Sequence, residues 1–187
     1  MKTNYEELKS ILEESLYRFP DAVEHWHVYA DVLQELGDPQ GELIAIELAS
    51  EAGRKDLLKE RDLLRNKIVG KTNKLEVEWN HGVITEVLVS SNQSLKLLYN
   101  ESIYKFSRHL RCSSFKIDVT LLLKIIPTLA SLTFLDLSCN QIRDEGVKAL
   151  AASPHLSSLT SLDLSCNQIR DEGVKALAVS PHLSSLT

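Results

Sequence analysis

The last part of the chain carries one stretch of sequence twice. LDLSCNQIRDEGVKALA occupies residues 135–151 and returns at residues 162–178. The offset is 27 residues, and 25 of the 27 positions in one full period are identical. The differing pairs are Phe134/Ser161 and Ala152/Val179. Because tandem copies must bury the same faces, this repetition predicts a stack of equivalent structural units.

Within each copy the residues follow the spacing of a strand, a turn and a helix. Leu135 and Leu137 alternate with Asp136, so a short strand turns its leucines inward and its polar residue outward. Asn140 lies at the turn, where a buried amide needs hydrogen-bond partners, and Asp144 is expected to cap the following helix. The spacing LxxLxLxxNxI resembles the leucine-rich repeat, and the strand, asparagine turn and helix resemble its ribonuclease-inhibitor class. The resemblance implies parallel strands, outer helices and protein binding.

Weaker copies of this spacing predict where other units begin. ITEVLVSSNQ, which starts at Ile84, fits the template, and a degenerate copy starts at Cys112. We therefore predict four complete strands and a fifth that begins at Leu186. The predicted unit starts are residues 84, 112, 132 and 159.

A β-hairpin is predicted before the first unit. Leu75, Val77 and Trp79 alternate ahead of a turn at residues 80–82, which read Asn-His-Gly. The first arm is expected to cover the exposed beginning of the repeats, with Trp79 packed as part of that cap.

Residues 1–70 show a helical pattern instead. Apolar residues recur at helical spacing and predict four short helices. Gly37 is expected to end the second helix, and Asp38 to cap the third with Pro39 at its first position. The predicted fold class is therefore α/β: an all-α module in residues 1–70, then a capping hairpin and a leucine-rich-repeat solenoid of parallel strands and outer helices in residues 71–187.

One segment of the helical module resembles a known domain. HVYADVLQELGDPQGELIAIELA, at residues 27–49, resembles the bacterial repeat-companion domain, which accompanies leucine-rich repeats. Val32 stands where that family usually has tryptophan. The resemblance implies a bacterial leucine-rich-repeat protein and no particular reaction. The matching residues are Tyr29, Ala30, Asp31, Leu33, Glu35, Gly37, Asp38, Pro39, Gly41 and Glu42.

Charge and composition narrow the classes of partner. The net charge is -5, and basic residues are scattered among acidic ones, so no basic face for nucleic acid is expected. The amino terminus lacks an apolar segment, and the longest apolar run, residues 119–130, is interrupted by Lys124 and Pro127. We therefore predict neither a Sec signal nor a membrane span. Three cysteines, an odd number, suit a reducing compartment, either the cytoplasm or a host cytosol into which the protein is delivered.

No residue set has the spacing that catalysis or metal binding requires. Cys139 and Cys166 are expected on neighbouring coils about 5 Å apart at Cα. Because equivalent side chains on parallel strands point the same way, two exposed free thiols are predicted. His25 and His27 lie on different faces of a helix, which argues against a shared metal ion. We therefore predict no enzymatic activity, no catalytic residue, no metal and no cofactor.

The side chains that alternate with the inward leucines form a surface that we call the outward sheet face, on the concave side of the predicted solenoid. Asp136 and Asp163 are expected side by side there, where like charges are unfavourable unless a basic group relieves them. Arg143 and Arg170 are candidates for that relief. The face is predicted to be either an ordinary solvated surface or a site for a basic partner. Its predicted partner-binding residues are Glu86, Leu88, Lys116, Phe134, Asp136, Ser138, Ser161, Asp163 and Ser165.

The expected function is a non-enzymatic scaffold that binds a protein through the outward sheet face. Four strands at about 4.8 Å spacing make a face narrower than about 20 Å. A stable interface usually buries at least about 1,200 Å², so help from the helical module is expected. The alternatives are a substrate-selecting ubiquitin-ligase adaptor, because the first helices loosely resemble an F-box, and an enzyme with an unrecognised site. The uncapped last repeat also predicts a weak homodimer.

Overall fold

The computed structural model describes residues 2–69, 75–98 and 104–187, which form a mixed α/β protein. The chain divides into two compact units. The helical unit consists of Met1–Thr72 with Trp79–Val83, and the repeat unit consists of Asn73–Glu78 with Ile84–Thr187. The predicted boundary at residue 70 lies outside the described residues.

Four α-helices make up most of the helical unit, as the apolar spacing predicts. A short 3-10 turn at Lys55–Leu57 precedes the fourth helix. Across the described part of the chain, no helix is both long and apolar enough to cross a lipid bilayer. The helices are α1 (Lys2–Arg18), α2 (Val23–Leu36), α3 (Pro39–Glu51) and α4 (Leu58–Val69).

The junction between α2 and α3 is determined by three consecutive residues. Gly37 has a left-handed conformation, with φ of 78°, and ends α2 at a position that favours glycine. The Asp38 carboxylate accepts a 2.9 Å hydrogen bond from the Gln40 N–H, and Pro39 is the first residue of α3. These contacts confirm the predicted end of the second helix and the predicted cap of the third.

Trp79 packs within the helical unit. Its side chain lies against a buried cluster of Leu43, Ile46 and Leu64. The Arg65 guanidinium lies 5.2 Å from the centre of a Trp79 ring. The prediction that Trp79 packs as a cap for the repeats is therefore wrong, because this side chain completes the apolar core between α3 and α4.

The predicted hairpin is confirmed. Its strands are β1 (Leu75–Asn80) and β2 (Val83–Val89), joined by His81 and Gly82. Both turn residues have positive φ, 47° and 74°, which is the requirement of the two-residue turn that matches the twist of a hairpin. A Cβ at residue 82 would lie 2.7 Å from the Ile44 Cα, so glycine is also required by close packing.

Within the described residues the sheet has five strands in sequence order, and β2 to β5 are parallel. One register row points inward from the parallel strands and contains Val87, Leu110, Leu135 and Leu162. The first three side chains in that row are fully buried. The other described strands and α-helices are β3 (His109–Arg111), β4 (Phe134–Asp136), β5 (Ser161–Asp163), α5 (Asn92–Leu95), α6 (Val119–Ile125), α7 (Asp144–Ala151) and α8 (Asp171–Ala178).

The second repeat starts earlier than the spacing predicts. Leu110 pairs with Leu135, so the unit begins at Ser107 and the predicted start at residue 112 is wrong. Cys112 fills the third leucine position and is fully buried, while Phe115 stands where other units have asparagine. The prediction failed because this unit lacks the asparagine that aligns the others. The unit starts are residues 84, 107, 132 and 159.

Asparagine side chains connect neighbouring repeats. Asn140 is 1% exposed, and its Nδ2 donates to carbonyl oxygens of its own turn and to that of Cys112. Its Oδ1 accepts a 3.1 Å hydrogen bond from the Ile117 N–H. Asn167 repeats the arrangement one unit later, since its Nδ2 donates to the Leu137 carbonyl and its Oδ1 accepts from the Asn140 N–H. Each amide therefore binds its own repeat and the preceding one, which sets their relative register.

Asp144 also connects two repeats. It is the first residue of α7, where no side-chain cap is present, so its predicted role as the cap of this helix is wrong. Its Oδ1 instead accepts hydrogen bonds from the Arg170 N–H at 2.7 Å and the Gly173 N–H at 3.1 Å. These donors lie at the start of α8, so Asp144 satisfies amides of the next repeat.

Identical residues are buried to different extents in the last two repeats. Leu135 is fully buried, whereas its counterpart Leu162 is half-buried. Val147 in α7 is likewise fully buried, whereas Val174 in α8 is 58% exposed. The environment, and not the residue type, therefore determines what each position contributes to stability.

A fifth strand is predicted to begin at Leu186, and the structure shows one backbone hydrogen bond to the preceding repeat there, made by the next residue. The Thr187 N–H donates to the Thr160 carbonyl at 3.1 Å, and this repeats the 2.8 Å contact between Thr160 and Thr133 one unit earlier. None of the strands assigned in the described residues includes Leu186.

The matched valines give a test of this difference in burial. Val147→Ala removes buried methyl groups, and we expect it to lower the free energy of unfolding by about 2 kcal/mol. Val174→Ala is the control and should change that free energy by less than about 0.5 kcal/mol. Urea unfolding monitored by circular dichroism measures both values. Equal losses in the two variants would contradict the burial difference.

Candidate functional site

The parallel register places two rows of side chains on the outward sheet face. These residues alternate with the inward row, so they point away from the buried leucines. Hydrogen-bonded parallel strands hold them at fixed spacing. The first row is Glu86, His109, Phe134 and Ser161, and the second row is Leu88, Arg111, Asp136 and Asp163.

Most of the predicted partner-binding residues lie on or next to these rows. Ser138 and Ser165 each follow a strand by two residues and stand beside its final aspartate. Lys116 does not belong to the outward sheet face, because it lies outside the strands, in the segment after β3. Its carbonyl oxygen accepts a 2.9 Å hydrogen bond from Asn92 Nδ2. The predicted residues within the rows are Glu86, Leu88, Phe134, Asp136, Ser161 and Asp163.

His109 and Arg111 are outward residues that the sequence interpretation missed. They hold the outward positions of the second repeat, where the predicted register places Lys116. The signal that identifies them is the spacing of Ser107, Leu110 and Cys112, which fits the repeat template without its asparagine.

Four of the outward side chains form a connected cluster. The Arg111 Nε lies 2.6 Å from Glu86 Oε1, and the His109 Nδ1 lies 3.5 Å from Glu86 Oε2. The rings of His109 and Phe134 meet edge to face, with centroids 5.4 Å apart. The Arg111 guanidinium lies 5.6 Å from the Phe134 ring centre, which is a cation–π contact. Phe134 thus already holds one cation of this chain.

Asp136 and Asp163 lie directly opposite each other on β4 and β5. Each carboxylate accepts a 2.8 Å hydrogen bond from the N–H of the serine two residues later. Arg143, one of the two candidates for relieving their repulsion, donates from its Nε to Gln168 Oε1 at 3.0 Å. The two carboxylates therefore form an adjacent, oriented negative pair on the outward sheet face.

Hydrogen bonds hold the pKa of the Asp163 carboxyl below its ordinary value. The largest cause is the Ser165 backbone N–H, followed by the Ser165 hydroxyl, while slight burial acts in the opposite direction. Because hydrogen bonds to the charged form favour it, Asp163 stays ionised to lower pH than a free aspartate.

A small cleft extends the acidic character of the surface toward β1. Its volume is about 180 Å³. Three of its lining side chains are glutamates, and Arg111 is the one cation of that lining. The lining residues are Glu76, Val77, Glu78, Glu86, Leu88 and Arg111.

The three cysteines are free and lie in two environments. Cys139 and Cys166 are exposed, which confirms the expected free thiols. Cys112 is buried, and burial is the main cause that raises the pKa of its thiol. Within residues 2–69, 75–98 and 104–187, no three His, Cys, Asp or Glu residues are grouped so that they could hold a metal ion.

Comparison with known proteins identifies the repeats. The family model described as Leucine Rich repeat matches residues 128–151 and 155–178. The two matches contain β4 with α7 and β5 with α8, so these parts of the chain are leucine-rich repeats, as their spacing indicates. No curated protein and no solved structure matches the chain.

The lowered pKa of Asp163 gives a testable pH dependence. A carboxyl whose folded pKa is lowered contributes stability above its unfolded pKa and loses it as pH falls through the folded value. We expect a carbon-13 NMR titration to place the Asp163 pKa below that of a free aspartate, and Ser165→Ala to raise it because the hydroxyl bond is lost. A pKa at or above the ordinary value in the unaltered chain would contradict this assignment.

Proposed function

We propose that this chain is a non-enzymatic protein-interaction scaffold. Its fold would be a leucine-rich-repeat solenoid of the ribonuclease-inhibitor class, with a repeat-companion-like helical module in residues 1–70. Leucine-rich repeats commonly bind proteins, and the two matched repeats support this role. A bacterial protein working in a cytosol is consistent with the companion-domain resemblance and with three free cysteines.

The partner would be an extended protein segment that carries arginine or lysine. The observation that supports this choice is the patch of Phe134, Asp136, Ser161 and Asp163, which we call the basic-side-chain socket. Its two carboxylates lie opposite each other on adjacent strands, and its aromatic ring already stacks with one guanidinium. An incoming cation would therefore pair with the carboxylates and make a cation–π contact with the ring at the same site.

The dimensions of the socket suit one basic side chain. Neighbouring strands are about 4.8 Å apart, and residues two positions apart along a strand are separated by about 6.6 Å. Ser161 is small and stands beside Phe134, so it leaves the side of the ring away from His109 uncrowded. A guanidinium over Ser161 would stack against Phe134 and bind Asp136 and Asp163.

The helical module would contribute a second, apolar contact. Phe19 is 61% exposed and Ile11 is 59% exposed, which is unusual for side chains of this size. Exposed apolar side chains of this kind are common in protein-binding surfaces. We propose that the module supplies contact area of its own to the partner, because the sheet face alone is small for a stable interface.

A charge reversal with a matched control tests the socket. In a binding screen of short synthetic peptides, we expect arginine-containing sequences to be selected by the intact chain. Asp136→Lys with Asp163→Lys should weaken the best peptide at least about tenfold, which is 1.4 kcal/mol. Fluorescence anisotropy measures the dissociation constants.

The control makes the same change in charge on the repeated helices. Glu145→Lys with Glu172→Lys alters two exposed glutamates at equivalent positions in α7 and α8. It should leave peptide affinity within about twofold, a difference below 0.5 kcal/mol. Equal weakening in both double variants would show that only overall charge matters, and unchanged binding by the aspartate variant would refute the socket.

We also propose weak self-association through the last repeat. Val174 is 58% exposed, and Leu162 is only half-buried although its counterpart is fully buried. Among the described residues β5 pairs with β4 along one edge and with no strand along the other, and an apolar surface beside such an edge favours pairing with a second copy.

Light scattering tests the self-association. At about 100 µM, within the range where exposed edges associate, we expect a mean mass above that of one chain that decreases on dilution. Val174→Lys should restore the mass of a single chain because it places a charge in the contact. A strict monomer at that concentration would rule out the homodimer.

A further inference from the structure

Two thiols stand at equivalent positions of adjacent repeats. The Cys139 N–H donates to the Ser165 carbonyl at 3.0 Å, and the next residue, Asn140, donates its N–H to Asn167 Oδ1, also at 3.0 Å. These bonds hold the segment of Cys139 directly beside the segment of Cys166. Both cysteines also have the same left-handed backbone conformation, with φ of 56° and 55°. The same backbone geometry in the same register places the two side chains next to each other.

The two thiols are exposed and lie on adjacent turns. The pKa of the Cys139 thiol is raised above its ordinary value, first by a hydrogen bond with the Cys166 side chain and less by burial and by the charges of Cys166, Asp136 and Asp163. The backbone bonds between the two turns independently place these side chains next to each other. Both side chains remain open to solvent, so a small ion can reach them.

The parallel arrangement suits a bridging ion better than a direct sulfur–sulfur bond. A thiolate–metal bond is about 2.3 Å long, so a nearly linear pair of such bonds separates two sulfurs by about 4.6 Å. Neighbouring strands are about 4.8 Å apart, which is almost the same distance. A disulfide needs the sulfurs within about 2.05 Å, so both side chains would have to turn toward each other.

The number and type of ligands select the class of ion. Among the described residues, no third His, Cys, Asp or Glu completes a group with these cysteines. Tetrahedral zinc normally takes four protein ligands at a structural site, whereas soft thiolates with a low coordination number favour Cu(I). Asp136 and Asp163 precede the cysteines in their repeats, and their negative charges favour the approach of a cation.

We propose that Cys139 and Cys166 form a two-coordinate thiolate site for Cu(I). When the ion binds, each thiol releases one proton to solvent, and two Cu–S bonds form. No electron is transferred, and the site then carries one negative charge. Neither ligand is a residue of the basic-side-chain socket, so metal binding does not depend on the proposed partner.

Glycine variants remove each ligand without straining the backbone. Cys139→Gly and Cys166→Gly retain residues that adopt positive φ freely, so each variant should keep its fold and its unfolding temperature or gain slightly. Cys112→Ala is the control that removes a thiol elsewhere in the chain. Circular dichroism verifies that all three variants are folded.

The experiment supplies Cu(I) without oxygen as its coloured bicinchoninate complex. We expect the intact chain and Cys112→Ala to remove one ion per chain from that chelator, and native mass spectrometry to show one ion on a single chain. Either glycine variant should bind at least about a hundredfold more weakly, because the second ligand supplies the chelate effect. X-ray absorption should show two sulfur neighbours per copper.

Three results would overturn the site. They are an intact chain that takes no copper from the chelator, a folded glycine variant that binds as tightly as the intact chain, and an ion shared between two chains. Copper with three or more protein ligands would equally exclude a two-coordinate site.

Discussion

The repeat unit depends on the requirement that a buried side-chain amide must have its hydrogen bonds satisfied. Asn140 is almost completely buried, and it meets this requirement only by bonding both its own turn and the turn before it. An unsatisfied buried polar group costs about 1–3 kcal/mol, so a shift of one repeat against the next is strongly disfavoured. The register of the strands follows from this constraint, and the positions of all outward side chains follow from the register.

Local signals explain why much of the fold could be predicted from the sequence. The caps at Gly37 and Asp38 and the hairpin turn at Gly82 each involve neighbouring residues, so their sequence patterns predict the structure directly. The start of the second repeat could not be predicted in this way. Phe115 replaces the asparagine there, and only pairing with β2 and β4 reveals that Leu110 is the inward residue.

The residues of the candidate site could be predicted in the two copied repeats. Those in the preceding, degenerate repeat could not. Phe134, Asp136 and Asp163 lie on the outward sheet face because their repeats follow the template closely. His109 and Arg111 belong to the degenerate repeat, so the error in register hid them. The roles of Trp79 and Asp144 were also beyond local patterns, because each is determined by residues far away in sequence. Long-range partners therefore account for most of the errors.

Because the two copies are buried to different extents, the same substitution has a different effect in each copy. A substitution at Val147 disturbs a filled interior, whereas the same substitution at Val174 meets solvent, so the two copies tolerate the same change unequally. The two differences already present lie outside the shared interior. Ala152 and Val179 are exposed, and Phe134 and Ser161 are on the outward sheet face, so neither change has altered the shared interior. The duplicated interior is thus conserved between the copies, and divergence has begun at the surface.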